Sequence, residues 1–335
     1  MTTTIVAEIG PNHDGSIDVA LEMIRRLAST GIDVVKFQLA VPENVYSQDA
    51  FKADYQRDRD GTGSPLEMSR RLQLSRTDHR RLYAECARLG VRYACTAFDL
   101  ESLRFLDDNF DLPFFKIASG ELPSLDMLEY IAGRSRAVVL STGMATLDEI
   151  AASLAILERN GPKDVTLLHC VSQYPAPHGD IHLRVMVTLA QRFGRPVGFS
   201  DHTLGPECCL AAVALGAVVV EKHVTLDRGR PGPDHAASAT IEEMAALVTA
   251  IRRIESALGK PDKVFAPAEA GIRRMARKSI VATRDIAHGE VIAGGDIAFK
   301  RPGTGLSPMD RDRVIGRRTA RPLAIDRIIE PEDLA

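Results

Sequence analysis

The chain has 335 residues, of which 45% are hydrophobic and 26% charged, and its formal net charge is -3. These values are typical of globular proteins and argue against a disordered, collagen-like or membrane-embedded chain. Basic and acidic residues are balanced without a long run of one sign, which argues against a nucleic-acid-binding surface.

The N-terminus and the cysteines indicate the compartment. Residues 1–10 lack the basic and apolar regions of a secretory signal, and no later stretch is apolar over the length of a membrane span. The five cysteines form no Cys-x-x-Cys pair, so reduced thiols are expected rather than disulfides or a zinc site. We therefore expect a cytoplasmic protein.

From residue 4 to about residue 258, short β-branched runs alternate with longer segments of helical period. This pattern predicts an α/β fold with eight βα units, a (β/α)8 TIM barrel. An open, doubly wound sheet is the alternative, although no Gly-x-Gly-x-x-Gly motif follows the first strand. The predicted strands are Thr4–Ile9, Asp33–Phe37, Val91–Cys95, Phe114–Ile117, Ala137–Ser141, Val165–His169, Val197–Ser200 and Ala217–Lys222.

Segment 42–74 interrupts this pattern after the second strand. It is charged, contains Gly61 and Gly63, and is too long for an ordinary connector. We predict a functional loop or lid whose last part, residues 65–74, is helical and packs on the barrel.

The pattern changes again after residue 260. Residues 261–277 are rich in Pro, Lys, Ala and Glu, which predicts a linker. Residues 278–335 contain short β-like runs, Gly pairs and turns, which predicts a small β-rich domain. We therefore divide the chain into a catalytic barrel (1–260), a linker (261–277) and a C-terminal domain (278–335) with a marginal core of its own.

Polar residues are concentrated where the predicted strands end. The carboxyl ends of the strands of a parallel barrel meet at one face, where active sites are built. Packing does not readily explain so many polar residues there. They are Glu8, Lys36, Gln38, Thr96, Lys116, Ser119, Glu121, Ser141, Ser172, Tyr174, Ser200, His202, Glu221 and His223.

Two kinds of binding are indicated. His202 and His223 could ligate one divalent metal ion through imidazole nitrogens, or each could be a hydrogen-bonded structural residue. Lys36 and Lys116, with neighbouring hydroxyls, could bind a phosphate and a carboxylate. Alternatively, the lysines extend along the barrel rim and the hydroxyls cap helices.

Three further residues have two interpretations each. Glu8 could be a general base, or a strand-end carboxylate that accepts structural hydrogen bonds. Asp234 follows Pro231-Gly232-Pro233 in a turn and could reach a substrate hydroxyl. Arg301 lies in a predicted tight turn and matters for catalysis only if its domain covers a barrel mouth.

Several strings, in order along nearly the whole chain, resemble the N-acetylneuraminate synthase family. The segment from about Lys278 onward resembles the antifreeze-like (SAF) domain of that family. The strings are AEIGPNHDG (7–15), VVKFQ (34–38), KIASGEL (116–122), LSTGMAT (140–146), LLHCVSQYPAP (167–177), FSDHTLG (199–205), EKHVTLD (221–227) and GPDH (232–235).

The resemblance implies a transferase that condenses phosphoenolpyruvate with N-acetylmannosamine or a related N-acylated sugar, with water, to give an N-acetylneuraminate-type nonulosonic acid and phosphate. A legionaminate synthase, acting on 2,4-diacetamido-2,4,6-trideoxymannose, is the nearest alternative. The resemblance also implies a domain-swapped homodimer in which one subunit's antifreeze-like domain lies over the partner's active site. The implied cofactor is a divalent metal ion, Mn²⁺ first, with Mg²⁺ or Co²⁺ as alternatives.

The resemblance also implies roles for individual residues. His202 and His223 match the metal ligands, and the catalytic candidates are Glu8, Lys116 and His202. Residues that match phosphoenolpyruvate-binding positions are Lys36, Thr96, Lys116, Ser119, Ser141, Ser200 and Ser172, the last at a position where some members carry Asn. Residues that match positions near the sugar are Gln38, Glu121, Tyr174, Asp234 and Arg301.

Two readings from other classes make different predictions. A Schiff-base aldolase with Lys116 or Lys36 as the nucleophile would be trapped by borohydride with a carbonyl substrate and would need no metal. A non-enzymatic ice- or glycan-binding protein would use the C-terminal domain, and its strand-end Lys, Glu and His residues would be dispensable.

Overall fold

The computed structural model describes residues 2–161 and 163–335. The chain divides into two compact units, Met1–Gly259 and Lys260–Ala335. Among the described residues, no helix has both the length and the apolar character needed to cross a membrane.

The first unit is a closed parallel barrel. Strand β1 pairs with both β2 and β8, which closes the sheet and rules out the open, doubly wound alternative. The predicted TIM barrel is therefore confirmed. Its strands are β1 (Thr4–Glu8), β2 (Val34–Leu39), β3 (Arg92–Ala97), β4 (Phe115–Ile117), β5 (Val138–Ser141), β6 (Val165–His169), β7 (Val197–Asp201) and β8 (Val219–Thr225); a short strand, β9 (Ala239–Thr240), pairs with the end of β8.

Alternation along the strands separates an apolar barrel floor from a polar mouth. Side chains two residues apart on a strand point to the same side. An apolar layer inside the barrel includes Val6, Val34 and Val219, and the residues two positions further along these strands are Glu8, Lys36 and Glu221. The polar residues therefore line the interior above a packed floor.

Helices surround the barrel, and their starts follow local capping rules. Thr146 and Thr240 accept hydrogen bonds from Glu149 N and Glu243 N, as N-caps do. The helices between the barrel strands and after them are α1 (Ile17–Ala28), α5 (Arg76–Leu89), α6 (Leu100–Asn109), α7 (Leu125–Ala132), α8 (Leu147–Leu157), α9 (Val185–Phe193), α10 (Glu207–Ala214) and α11 (Ile241–Leu258).

Segment 42–74 folds into three short helices, α2 (Pro42–Val45), α3 (Asp54–Asp60) and α4 (Pro65–Leu72). In α4, Met68 and Leu72 are buried. The helical end predicted for this segment is therefore present.

The second unit contains a two-stranded antiparallel sheet of β10 (Ser279–Ala282) and β11 (Ile297–Lys300), with a short helix, α13 (Arg311–Val314). Its core includes Ile280, Ile286 and Ile329. The stretch predicted as a linker contains a helix, α12 (Ala270–Ala276), which the Pro- and Lys-rich composition did not indicate.

Candidate active site

Strand register brings the chemical groups of β1, β2 and β8 side by side. Glu8 lies opposite Lys36 on one neighbouring strand and opposite His223 on the other. Gln38 lies opposite Thr96 across β2 and β3. Residues that are far apart in the sequence thus share one end of the barrel.

Lys36 is buried and surrounded by acceptors. Its Nζ forms an ion pair with Glu8, donates to Thr96 Oγ1 at 3.0 Å, and lies 3.7 Å from Glu221 Oε2. Burial opposes its charge, but Glu221 and Glu8 outweigh burial and raise the pKa of Lys36. Lys36 is therefore a fixed positive charge.

Lys116 is the second buried cation of the mouth. Its Nζ donates to Ser141 Oγ at 2.8 Å and lies 3.7 Å from Glu221 Oε1. Burial lowers the pKa of Lys116, although Glu221 opposes that effect. Glu221 thus stands between the two lysines and also accepts from Ser200 Oγ at 3.1 Å.

The two lysines face a cavity of about 200 Å³. Ser119 and Ser172 lie on its wall, and Gly143 allows them to come close: a Cβ at that position would lie 2.4 Å from Ser172 Oγ. The other polar or ionisable residues of the wall are Gln38, Thr96, Ser141, Cys170, Tyr174, Ser200, His202, Glu221 and His223.

His202 and His223 are neutral imidazoles placed together. Their ring centroids are 5.4 Å apart. Burial lowers the pKa of His202 to about 4, and burial, followed by His202, lowers the pKa of His223 well below its usual value. A neutral imidazole is the form that binds a metal ion.

The ring nitrogens of both histidines fit a metal site. His202 Nδ1 lies 2.6 Å from Val171 O, so it serves as the donor and leaves Nε2 as the acceptor nitrogen. His223 Nδ1 is buried and has no hydrogen-bond partner among the described residues, and Asp234 Oδ2 is 3.5 Å from it. The described residues contain no group of three or more His, Cys, Asp or Glu side chains that could hold a metal ion, so these two imidazoles would leave the other positions to water and substrate.

Glu8 is wholly buried, and it contacts the site through Lys36 and Gln38. Burial, together with the charge of Glu221, raises the pKa of Glu8 despite the opposing Lys36. Gln38 Nε2 donates to Glu8 Oε1 at 2.9 Å. The carboxyl group is therefore held in one orientation, and its burial favours the neutral form over the charged one.

A second cavity, of about 220 Å³, adjoins the first, and Gln38, Phe98 and Tyr174 line both. Tyr174 stacks on His202 with a centroid distance of 4.0 Å, and Tyr55 of α3 stacks on Tyr174 at 5.3 Å. Segment 42–74 thus supplies a wall of the site.

Asp234 lies on the wall of the second cavity, beside a residue that is fixed by two contacts. His235 beside it contacts Thr225 Oγ1 at 2.7 Å and Asp14 Oδ1 at 2.9 Å. Burial, followed by the charge of Glu8, raises the pKa of Asp234 to about 7. The turn predicted from the Pro-Gly-Pro sequence therefore also positions the carboxyl group of Asp234 at the second cavity.

Glu8 and Glu121 are not among the described residues that line either cavity, and Arg301 belongs to the other compact unit. Glu121 follows β4 and hydrogen-bonds to Ser124. Arg301 lies in the second unit, directly after β11. Glu221 was predicted to lie at a strand end but without a chemical role, which the alternation of β8 could have indicated. No sequence pattern indicated Tyr55.

The chain is similar over nearly its whole length to known synthases. The chain is 40% identical to the N,N'-diacetyllegionaminic acid synthase of Campylobacter jejuni over 98% of both chains. It is 34% identical to the N-acetylneuraminate-9-phosphate synthase of Homo sapiens, over 94% of this chain and 88% of the human protein.

A solved structure gives the same result. The N-acetylneuraminic acid (sialic acid) synthetase of Leptospira borgpetersenii superposes with a TM-score of 0.73 at 30% identity, covering 81% of this chain and 90% of that one. Residues 277–335 match the SAF domain, and residues 23–263 match the NeuB family. The chain therefore belongs to the NeuB family of sialic-acid-type synthases.

Proposed function

We propose that this enzyme condenses phosphoenolpyruvate with an N-acylated mannosamine-type sugar, N-acetylmannosamine first, and water, to give a nonulosonic acid and phosphate. The proposal rests above all on one observation: two buried lysines and a set of hydroxyls face one cavity beside two neutral imidazoles. The names of the relatives support the synthase reaction and do not favour the Schiff-base aldolase.

The lysine cavity would bind phosphoenolpyruvate. Lys36 and Lys116 would offset the charges of its phosphate and carboxylate, and hydroxyls such as Ser119 and Ser141 would donate directed hydrogen bonds. Because both lysines are buried, their attraction for an anion is little screened by solvent.

The sugar would bind on the side of the second cavity, where Gln38, Tyr174 and Asp234 lie. Its aldehyde would face the imidazoles, so that C3 of phosphoenolpyruvate forms the new bond to the aldehyde carbon. Positive charge then develops at C2, where water attacks.

Glu8 would be the base for that water. The carboxylate takes the proton and becomes neutral, which leaves the positive charge of its ion-pair partner Lys36 to offset the charge of the bound phosphate. The tetrahedral adduct at C2 then loses phosphate by cleavage of its carbon–oxygen bond, which leaves the 2-keto acid.

His202 and His223 would hold the divalent ion, for which we propose Mn²⁺, with Mg²⁺ or Co²⁺ as alternatives. When bound, such an ion supplies Lewis-acid polarisation of the aldehyde oxygen. The hydrogen bond from His202 Nδ1 to Val171 fixes the orientation of that ring for the task.

We also propose that the enzyme is cytoplasmic and acts as a domain-swapped homodimer. In that assembly Arg301 of one subunit would contact the N-acyl group bound by the other. The support is the SAF match of residues 277–335 and the position of Arg301 in a loop of that unit.

The test is phosphate release from phosphoenolpyruvate by the purified protein with Mn²⁺. N-acetylmannosamine, 2,4-diacetamido-2,4,6-trideoxymannose and no sugar are compared, each with and without EDTA. We expect release that requires a sugar and is stopped by EDTA. Release without sugar, or trapping by borohydride without metal, would contradict the proposal.

A further inference from the structure

We propose that the buried ion pair of Asp201 and Lys222 orients the two histidines of the metal site and that Lys222 is its key positioning residue. The inference rests on the proposed function, because it takes His202 and His223 as the ligands of the divalent ion. It also goes beyond that function, since neither member of the pair is among the residues that line the two cavities of the barrel mouth.

Each member of the pair directly precedes one of the histidines. Asp201 is the last residue of β7 and is followed by His202, and Lys222 and His223 are consecutive residues of β8. The strand register places Asp201 directly opposite Lys222. A contact between these two side chains therefore also fixes how the two histidine-bearing segments lie against each other.

The pair lies on the outer side of the barrel wall. Successive side chains of a strand point to opposite faces of the sheet. His223 lines the first cavity inside the barrel, whereas Lys222 lines a separate cavity of about 250 Å³ together with Glu243 and Leu247 of α11. The pair thus acts on the histidines through the backbone and has no contact with the substrate cavities.

Hydrogen bonds tie the pair to the turn that follows β7. Lys222 Nζ donates to Asp201 Oδ2 at 2.7 Å and to Thr203 O at 2.8 Å. Asp201 Oδ1 accepts from Thr203 N at 2.9 Å and from Thr203 Oγ1 at 2.8 Å, and Cys209 Sγ donates to Asp201 Oδ2 at 3.0 Å. Thr203 lies outside the helices and strands. The residues on both sides of His202 are therefore held by this one network.

The contacts of His202 itself depend on that turn. Its Nδ1 lies 2.6 Å from Val171 O, and its carbonyl oxygen accepts from Ala176 N at 2.9 Å. These bonds orient the ring only if the backbone at 201–203 stays in place. The pair supplies that constraint, and partners behind a metal ligand that fix its orientation typically contribute 10- to 100-fold to metal affinity.

Stability alone gives a weak reason for an ion pair at this position. The side chains of Asp201 and Lys222 are 0% and 4% exposed. A buried ion pair is often no more stabilising than apolar side chains of similar volume, because both charges lose their hydration. Apolar side chains, however, could neither donate to Thr203 O nor accept from Thr203 N. The directed hydrogen bonds are what the charged pair adds.

The test measures the Kd for Mn²⁺ of the full-length protein without substrates, from the electron paramagnetic resonance signal of free Mn²⁺. Lys222→Met should weaken binding by about 10- to 100-fold. The matched control is Lys163→Met: Lys163 is also buried and donates to Ile131 O at 2.9 Å, but it precedes β6 at the opposite end of the barrel, so the Kd should not change.

The outcomes separate this inference from the proposed function. A folded Lys222→Met protein with the Kd of the wild type would overturn the inference and leave the proposed function intact. A wild-type protein that binds no Mn²⁺ would overturn the metal assignment and the inference with it. The Kd comparison needs no substrate, so it is independent of the phosphate-release assay.

A double variant guards against a folding defect in Lys222→Met, which leaves Asp201 without its counter-charge. Asp201→Asn combined with Lys222→Met removes both charges, so its Tm should be closer to that of the wild type. Its Kd for Mn²⁺ should still be about tenfold weaker, because Thr203 O has lost its donor. A wild-type Kd in the double variant would show that the pair serves stability alone and would contradict the inference.

Turnover distinguishes positioning from catalysis. Because Lys222 has no place in the substrate cavities, raising the Mn²⁺ concentration should restore phosphate release in Lys222→Met to the wild-type kcat. A decrease in kcat that excess Mn²⁺ does not relieve would mean that Lys222 acts other than through the metal site, which contradicts the inference.

Discussion

Glu221 should stabilise the fold by compensating the buried lysines, and Glu221→Gln tests this directly. The carboxylate lies 3.7 Å from both Lys36 and Lys116, and all three residues are buried. Glutamine keeps the shape and removes the charge. Lys36 retains its ion pair with Glu8, whereas Lys116 retains, among the described residues, its hydrogen bond to Ser141 and no ion pair.

Removing one partner of a buried ion pair costs about 3–5 kcal/mol. We expect the lower figure, because burial already lowers the pKa of Lys116 and the lysine can lose its proton when its counter-charge is gone. In a domain of this size, about 3 kcal/mol corresponds to a decrease in Tm of about 6–12 °C.

The assay is thermal unfolding followed by circular dichroism, with and without millimolar phosphate. Phosphate should raise the Tm of Glu221→Gln more than that of the wild type, because an anion can replace the missing charge. Glu129→Gln is the matched control: its side chain is 51% exposed and pairs with Arg159, so its loss should change stability by less than about 1 kcal/mol. A Glu221→Gln protein with the same Tm as the wild type would refute the reasoning.

Three other outcomes are expected. His202→Ala or His223→Ala should abolish metal-dependent phosphate release, and full activity in either variant would exclude the metal assignment. Deletion of residues 278–335 should leave a folded barrel with a higher KM for the sugar; an unchanged KM would contradict a capping role. His13 and His79 are buried, and burial lowers the pKa of each to about 4, below the usual 6.5. The unfolded chain therefore binds protons first as pH falls, and stability should decrease by about 2 kcal/mol per histidine between pH 7 and pH 5, measured by urea unfolding. His79→Phe should reduce this pH dependence of stability. A wild-type urea midpoint that does not change between pH 7 and pH 5 would contradict the prediction.

The sequence predicted the barrel because each strand is a short β-branched run between amphipathic helices. It also predicted the polar residues of the barrel mouth, because Glu8, Lys36 and Lys116 lie near the ends of predicted strands and this placement does not depend on side-chain packing. Strand β8 was predicted to end at Lys222 but continues to Thr225, so His223 lies within the strand. Pairing with β1 and with β9 extends it, and such pairing depends on closure of the sheet.

The second cavity could not be predicted in the same way. Its walls come from segment 42–74, whose short helices are held by contacts such as the Lys52–Asp60 pair and the stacking of Tyr55 on Tyr174. These contacts join residues without a shared period or motif. Local sequence patterns specify strands and helix starts, whereas a contact between two loops is specified only by the folded chain.

The most direct test of the proposed reaction is to run it in ¹⁸O-labelled water with N-acetylmannosamine and to analyse both products by mass spectrometry. Cleavage of the carbon–oxygen bond keeps the bridging oxygen on phosphorus. We therefore predict unlabelled phosphate together with a nine-carbon keto acid that contains the sugar. Phosphate with one ¹⁸O and no nine-carbon product would show simple hydrolysis at phosphorus and would contradict the condensation.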